Sequence, residues 1–568
     1  MRYWTGDDRD EADVVVVGSG AAGLLAAIAA ARAGCSVVVL EKSRWLGGTS
    51  AVSGGTLWVP DNPYLHAAGL SDSPEAARRY LQTLTAGHSS PAVLDAFIAN
   101  GPRMIGILGE LGIRFAVARD YPDYRPDLEG SVPSGRSLDP DFYDTTRLGP
   151  LLEALRPDRR PPFTMAEYAE WLAVTRYPQE LFAERRAKGL VSRGNALVAA
   201  LVEACRDAGV ALVTDAPVER LVAEDGRIAG VVVGDVVVAA ARGVVLACGG
   251  FEWNRGMVEE HLSGPMDARC SPPHNTGDGI RMALEAGAAT GNMGEAFWGP
   301  MALIDTDRTE GAQLSSLLRF ERQGPGSIIV DGRGERFVNE SQNYNDMTRT
   351  MHRRDASTAS GFRHLPAWAV FDSAYLTRYG VFDHRVEADL PEWLVRADSL
   401  AGLAGALGVP ADALRSTVER FNGFATSGRD EDFGRGDDAY DRYWGDRSRG
   451  LPNPCLAPLE QAPFYALRVH PGGFGTCGGL VTDGAARVLD VDGRPLGGLF
   501  AAGNTTAHPM GRGYPGAGGS LGPNLTMGLL AGETVAGKEW VHSEGERSGR
   551  RQGLEGVPVG GRPGDVDR

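Results

Sequence analysis

The sequence predicts an α/β fold, a Rossmann-like domain that is discontinuous in sequence and has an α+β domain inserted into it. Three observations carry this. Near the start, Asp13-Val-Val-Val-Val-Gly18-Ser-Gly20-Ala21-Ala22-Gly23 leads through a helical run, Leu24 to Ala33, into a second apolar strand, Ser36 to Leu40, that ends on Glu41. Near the other end, the apolar strand Leu499 to Gly503 enters a long glycine loop, and Gly522-Pro-Asn opens a last helix to Ala536. From about residue 297 to 470 the composition changes to short strands, helices and acidic loops. The expected organisation is therefore 1–296 and 471–542 as two parts of one domain, 297–470 as the inserted one, and 543–568 as a disordered tail. That tail is rich in Gly, Arg and Glu and too poor in apolar residues to build a core.

The elements follow in order. Gly47 to Ser50 and Ser53 to Gly55 read as small-residue loops. Asp72 to Gly87 and Pro91 to Leu111 carry helical periodicity, and Tyr121 to Pro140, rich in Tyr, Pro, Asp and Gly, reads as a loop. Residues 150–190 suggest charged, partly helical surface, and Asn195 to Ala208 an amphipathic helix. Val210 to Thr214, Pro217 to Ala223 and Ile228 to Val237 alternate like antiparallel strands, with an Asp225-Gly226 turn. Gly243 to Ala247 is a further buried strand, and Asn275 to Gly279 opens a helix through Ala289. In the inserted region, Ser327 to Asp331 and Trp368 to Asp372 read as strands and Pro410 to Phe424 as a helix.

At 568 residues the chain can bury a large core, and 43% hydrophobic with 23% charged residues is ordinary for a globular protein. The net charge of -16 argues against nucleic acid or an anionic membrane as partner, since both reward basic surfaces. No apolar run is long enough for a membrane span, and no signal peptide opens the sequence. The six cysteines lack metal-site and C-x-x-C spacing, so they read as reduced thiols in a cytoplasmic protein, with no metal expected.

The first motif has a physical logic. Gly18 permits a sharp turn, Gly20 lets backbone approach a pyrophosphate, and Gly23 lets helix and strand pack closely. The helix N-terminus faces the phosphate charge, and Glu41 can accept hydrogen bonds from a ribose diol.

Further motifs carry a resemblance. These are Gly47-Gly-Thr-Ser-Ala-Val-Ser-Gly-Gly55, Tyr121-Pro-Asp-Tyr124, Gly135-Arg-Ser and Arg336-Phe-Val-Asn-Glu-Ser-Gln-Asn-Tyr344. Ala411 to Asn422, Gly475-Thr-Cys-Gly-Gly-Leu, Ala502-Gly-Asn-Thr505 and Gly511-Arg-Gly-Tyr-Pro-Gly-Ala-Gly518 complete the set. In this order they resemble the fumarate reductase/succinate dehydrogenase flavoproteins, and within them the 3-ketosteroid Δ1-dehydrogenases, from Trp4 to about Gly537.

The resemblance implies a Rossmann-like FAD-binding domain with an inserted catalytic domain, and noncovalent FAD. A covalent flavin needs a nucleophile such as His near the first glycine loops, and none stands between Gly47 and Gly55. The implied FAD contacts are Gly18, Gly20, Ala21, Ala22, Gly23, Glu41, Lys42, Gly48, Thr49, Ser50, Ser53, Gly54 and Gly55. Backbone at Val218 is implied for the adenine, with Gly249, Asp278, Gly503, Asn504, Gly519, Ser520 and Leu521 completing the set. Asn504 stands where many flavoproteins carry Asp, and the steroid branch also has Asn there. Ser520 and Leu521, at the start of the last helix, would face the flavin's pyrimidine edge, where negative charge grows on reduction.

The implied reaction puts a 1,2 double bond into the A ring of a 3-ketosteroid, a step of steroid catabolism. A proton leaves carbon 2 for a tyrosine base, matching Tyr344, with Tyr124 relaying or stabilising it. A hydride leaves carbon 1 for the flavin. The 3-keto oxygen is polarised by a tyrosine hydroxyl and a backbone N–H, matching Tyr514 and Gly518. A tyrosinate needs help, since free tyrosine titrates near pH 10, and Arg125 is an adjacent cation. His508 and Arg512 could form the dicarboxylate-binding pair of a fumarate reductase, but Pro509-Met-Gly and Gly513-Tyr-Pro match the steroid pattern instead. His508 therefore reads as a loop residue near the flavin and Arg512 as structural. The alternatives are a 3-oxo-5α-steroid 4-dehydrogenase and a fumarate-reductase-like flavoprotein. Segments 151–189 and 351–364 match the family poorly, and the electron acceptor is not legible, a quinone being one candidate.

Overall fold

The computed structural model describes residues 9–538, apart from 172–177, 383 and 385–389. Strand Arg9–Val17 lies in the middle of an eight-stranded sheet. Its valines Val14 to Val17 are all buried, as a strand covered on both faces requires. It pairs in parallel with Val37–Leu40 on one side and Val236–Leu246 on the other. Across the sheet the strands run 487–489, 495–501, 236–246, 9–17, 37–40 and 211–213, with the hairpin Arg220–Glu224 and Arg227–Val233 attached to 236–246. The late strand Pro495–Ala501 thus returns to the sheet begun by the N-terminus.

A seven-stranded sheet is built around the long strand Phe464–Thr476. Ala296–Thr309, Ala367–Asp372 and Leu394–Ala397 pair with it antiparallel, and Ala268–Arg269 in parallel. Two helices join the first sheet to the site. Ala21–Arg32 packs on Leu521–Val535, and the approach is so close that a Cβ on Gly528 would lie 2.4 Å from the Ala22 carbonyl, and one on Gly532 2.2 Å from that of Ala26.

Four local expectations are corrected. Ile228 to Val237 is not one strand: Gly234 (φ 57°) turns the chain, and Val236–Leu246 runs on through the stretch expected as a separate strand at Gly243. Ala211–Val213 is parallel to its neighbour Val37–Leu40, because a helix connects back across the sheet rather than a hairpin. Ser137–Pro140 is a strand, bonded to Leu57–Trp58 and Phe115–Val117, so its order comes from partners distant in sequence. Gly48–Ala51 forms one helical turn rather than an open loop. The Asp225-Gly226 turn has both residues at positive φ, as a two-residue hairpin needs. All six cysteines are free. No helix among the described residues is long and apolar enough to cross a membrane. The tail 543–568 lies outside the described residues.

Candidate active site

The glycine turn after Arg9–Val17 is dictated by contact. Gly18 has φ 102°, and a Cβ there would lie 2.5 Å from the Ala247 carbonyl. A Cβ on Gly23 would lie 2.1 Å from the Gly18 carbonyl. At Gly20 and Gly48 the situation reverses: a Cβ would meet nothing closer than 3.7 Å and 3.8 Å, so backbone faces open space. Gly54 likewise faces open space, whereas Gly55 is pressed against Arg193. The Ala21 N–H donates to Ser50 Oγ at 3.1 Å, and Asn275 Nδ2 donates to Thr49 Oγ1 at 2.9 Å, which closes the first loops over the helix start. Ser53 Oγ donates to the Ser50 carbonyl.

Glu41 is buried at the strand end. Its Oε2 accepts from the Ser19 N–H and hydroxyl, and among the described residues its Oε1 accepts only the Ser43 N–H, at 2.9 Å. One lone pair of Oε1 remains for a ribose hydroxyl. Lys42 and Asp278 pair with each other at 2.6 Å. Val218 is buried with Val15, Val17, Leu40 and Ala216 beneath the strand ends. Gly249 (φ 82°) packs on Asn275, and Gly503 (φ 70°) on Ala22. Asn504 Oδ1 accepts from Asn524 Nδ2 at 2.9 Å. Gly519 packs against Pro515, and Ser520 stands at the N-cap of the helix that begins at Leu521, its hydroxyl accepting from the Asn524 side chain at 3.4 Å rather than from a backbone N–H. The residues fit FAD: open glycine backbone faces the phosphate position, a helix N-terminus stands behind it, and a carboxylate with spare acceptor capacity stands at the ribose position. Nearby, Glu252 Oε2 is buried with no partner among the described residues, though Oε1 accepts from Ser271 and Asn275.

Three distant tyrosines converge. Tyr344 is the first residue of helix Tyr344–Met351, and Tyr514 lies in the late glycine loop. Tyr124 is pinned by its N–H donating to the Pro515 carbonyl at 2.9 Å. Ring centroids are 5.4 Å apart for Tyr124 and Tyr344, 5.6 Å for Tyr124 and Tyr514, and 5.3 Å for Tyr344 and Tyr514. Burial, then the neighbouring phenols, holds Tyr344 well above the usual tyrosine range. Burial also raises Tyr514, but its hydrogen bond with Tyr344 limits this to about 12. Gly518 (φ 92°) is locked by the Trp58 N–H donating to its carbonyl at 3.1 Å, and a Cβ there would lie 2.4 Å from the Thr56 carbonyl. Its own N–H donates to no acceptor among the described residues.

Other expectations meet different outcomes. Arg125 turns away from the phenols to Asp127, at 2.7 Å. Arg512 pairs with Glu295 at 3.0 Å and is half exposed. Burial lowers the His508 pKa to about 4, so the ring is neutral; Nδ1 accepts from the Met510 N–H, leaving Nε2 to donate to the Ser520 carbonyl. His508 thereby braces the start of the last helix. Two residues escaped the sequence reading. Tyr121 shares a 3.2 Å hydroxyl contact with Tyr124, and the Tyr440 ring lies tilted against both, 6.2 Å and 4.8 Å away between centroids. Only Tyr121 had a signal, its place in the quoted Tyr121-Pro-Asp-Tyr124 motif.

Comparisons with known proteins agree with this architecture. The family model described as FAD binding domain matches residues 13–521. A 4-oxocyclohexanecarboxylate 2-dehydrogenase of Sinomonas cyclohexanicum is 49% identical over 554 residues, covering 96% of each chain. A 3-oxosteroid 1-dehydrogenase of Mycolicibacterium smegmatis is 39% identical, covering 94% of this chain and 98% of its own. The solved structure of 3-ketosteroid delta1-dehydrogenase from Sterolibacterium denitrificans in complex with 1,4-androstadiene-3,17-dione superposes with a TM-score of 0.86. It is 36% identical, over 93% of this chain and all of that one. With a glycine cradle that fits FAD and relatives aligned along nearly its whole length, the chain belongs to the FAD-binding flavoprotein family and is an FAD-dependent oxidoreductase acting on CH–CH donors.

Proposed function

We propose that this enzyme introduces a carbon–carbon double bond beside the carbonyl of a six-membered cyclic ketone. The observation that carries the reading is the convergence of Tyr124, Tyr344 and Tyr514, with a Gly518 N–H in the same loop as Tyr514 that has no acceptor among the described residues. Bound FAD supplies a hydride acceptor. Tyr514 Oη and the Gly518 N–H come from one loop and serve as paired donors to the ketone oxygen, stabilising enolate charge. Tyr344, from a different element, takes the proton from the carbon next to the carbonyl. Burial and the neighbouring phenols hold its hydroxyl protonated, so it serves as base only once that proton has left. Tyr124, bonded to Tyr121, hands that proton outward. In this reading the catalytic contribution of 297–470 is Tyr344, and 471–542 supplies the enolate donors. A quinone is one candidate for the electron acceptor, and free thiols throughout suit a cytoplasmic setting.

Two substrates fit this chemistry. One is a 3-ketosteroid, dehydrogenated at its 1,2 bond, the substrate type named for the relatives at 39% and 36% identity. The other is 4-oxocyclohexanecarboxylate, named for the relative at 49% identity. A dicarboxylate is disfavoured, since Arg512 is engaged by Glu295. The test is anaerobic mixing of FAD-loaded protein with androst-4-ene-3,17-dione or 4-oxocyclohexanecarboxylate. Bleaching of the visible flavin band, with one enone bond formed per flavin, is expected for at least one. An unbleached flavin with both would overturn the reading. Within it, Tyr514→Phe removes one of two enolate donors, and a loss in kcat on the order of 10²-fold is expected. A near-normal rate would remove Tyr514 from that role.

A further inference from the structure

Glu252 is a wholly buried acid with no part in the chemistry described so far. It follows strand Val236–Leu246, in the loop that carries Gly249 and Gly250. Two glycines make room for its carboxyl. A Cβ on Gly250 would lie 3.0 Å from Oε2, and one on Gly475 3.6 Å from Oε1. Oε1 accepts from the Ser271 hydroxyl at 2.8 Å and from Asn275 Nδ2 at 2.6 Å, while Oε2 has no partner among the described residues. Burying an acid is costly, and an apolar side chain would fill the space without that cost. What an apolar side chain could not do is orient Asn275.

These hydrogen bonds have a direction. Oε1 is an acceptor both in the carboxylate and in the acid with its proton on Oε2. It therefore selects the Nδ2 end of the Asn275 amide and repels the Oδ1 end. Nδ2 carries two hydrogens. One goes to Glu252 and the other to Thr49 Oγ1, at 2.9 Å and 226 positions away in sequence. Oδ1 is turned toward Gly249, where a Cβ would lie 2.4 Å from it, and the Asn275 carbonyl accepts from the Trp253 N–H at 3.0 Å. Thr49 Oγ1 is thus an acceptor on this side, and its own hydrogen has to go elsewhere. No described residue accepts it. Thr49 is partly exposed and stands between Gly48, whose backbone faces open space, and Ser50, whose Oγ accepts from the Ala21 N–H. That is the glycine cradle that fits FAD.

We propose that Glu252 and Asn275 are positioning residues for FAD: Glu252 fixes the Asn275 amide, and the amide leaves the Thr49 hydroxyl as a donor to an acceptor atom of the cofactor. Neither residue is among the FAD contacts expected from the sequence. The chain of bonds acts on FAD alone, so it does not depend on which ketone the enzyme processes.

The experiment reads the Kd of FAD from the flavin fluorescence recovered on diluting the full-length holoenzyme. Thr49→Val removes the donor and is expected to weaken FAD by about 10- to 100-fold, the range for losing a hydrogen bond in a buried polar site. Glu252→Met is expected to give a loss of similar size. Glu252→Gln, whose side-chain carbonyl can still accept from Asn275, should restore most of the affinity. The double variant Thr49→Val/Glu252→Met should lose no more than Thr49→Val alone, because both changes break one chain. An acid that only held its loop together would instead make the two losses multiply. That outcome would overturn the proposal, as would an unchanged Kd in Thr49→Val or in Glu252→Met, or a Glu252→Gln variant as weak as Glu252→Met. Circular dichroism checks folding. If Glu252→Met does not fold, Asn275→Leu cuts the same chain at its middle, and it has to show the same loss and no further loss in the Thr49→Val background.

Discussion

Tyr344→Phe lowers kcat by about 10²- to 10⁴-fold while the protein keeps its FAD, the span expected when a positioned general base is lost. The substitution removes one oxygen and no carbon, so the ring contacts with Tyr124, Tyr514 and Phe474 persist. The pH profile separates a base from a packing residue. Burial and the adjacent phenols hold the Tyr344 hydroxyl protonated well past its ordinary range. A protonated hydroxyl cannot accept a proton. In the native enzyme kcat/KM should therefore climb with pH, by about tenfold per unit on the alkaline side of neutrality. In Tyr344→Phe that slope should vanish and leave a flat, low residual rate. Stopped-flow flavin reduction across pH reads both. Retained activity with the slope intact would remove Tyr344 as base.

Arg136→Met costs about 3–5 kcal/mol of stability, because it leaves two buried carboxylates without their cation. Arg136 is almost wholly enclosed. It pairs with Asp72 at 2.6 Å and Asp123 at 2.7 Å, and its guanidinium lies over the rings of Trp58 and Tyr80. Asp123 also accepts the Trp58 indole N–H at 2.8 Å. Burial lifts the Asp123 pKa to about 6 even with Arg136 pulling it down. Without the arginine that carboxyl takes up a proton more readily. The deficit of the variant should thus be largest well above pH 6 and shrink as pH falls. Chemical denaturation at two pH values measures it. A deficit that is small and independent of pH would show that the cluster relaxes. The site should suffer too, since Asp123 precedes Tyr124 and the Trp58 N–H holds the Gly518 carbonyl.

Much of this was legible along the chain. The glycines at 18, 20 and 23, the two apolar strands and Glu41 are neighbours in sequence, so their joint purpose shows in their spacing. The Asp225-Gly226 turn is equally local. The long strand Val236–Leu246 was not: its middle has no apolar alternation to mark it, and the turn at Gly234 reads like any other glycine. Ser137–Pro140 resembles a loop because its order is supplied by Leu57–Trp58 and Phe115–Val117. Arg125 shows the limit for charges. It adjoins Tyr124 in sequence, yet the chain direction sends it to Asp127.

The sequence by itself determined the nucleotide cradle, the return of the C-terminal strand and the tyrosines to be suspected. Those rest on periodicity, on glycines that no side chain can replace, and on motif order. Tertiary structure alone decided that residues 124, 344 and 514 share one cluster and that the Gly518 N–H finds no acceptor among the described residues. It also decided that Arg125, beside Tyr124 in sequence, is spent on Asp127. The physical reason is that charge compensation depends on distance through space. Whether an arginine is spent on a neighbouring aspartate, as Arg125 on Asp127, or on a carboxylate far along the chain, as Arg512 on Glu295, is settled only when segments hundreds of residues apart are packed together.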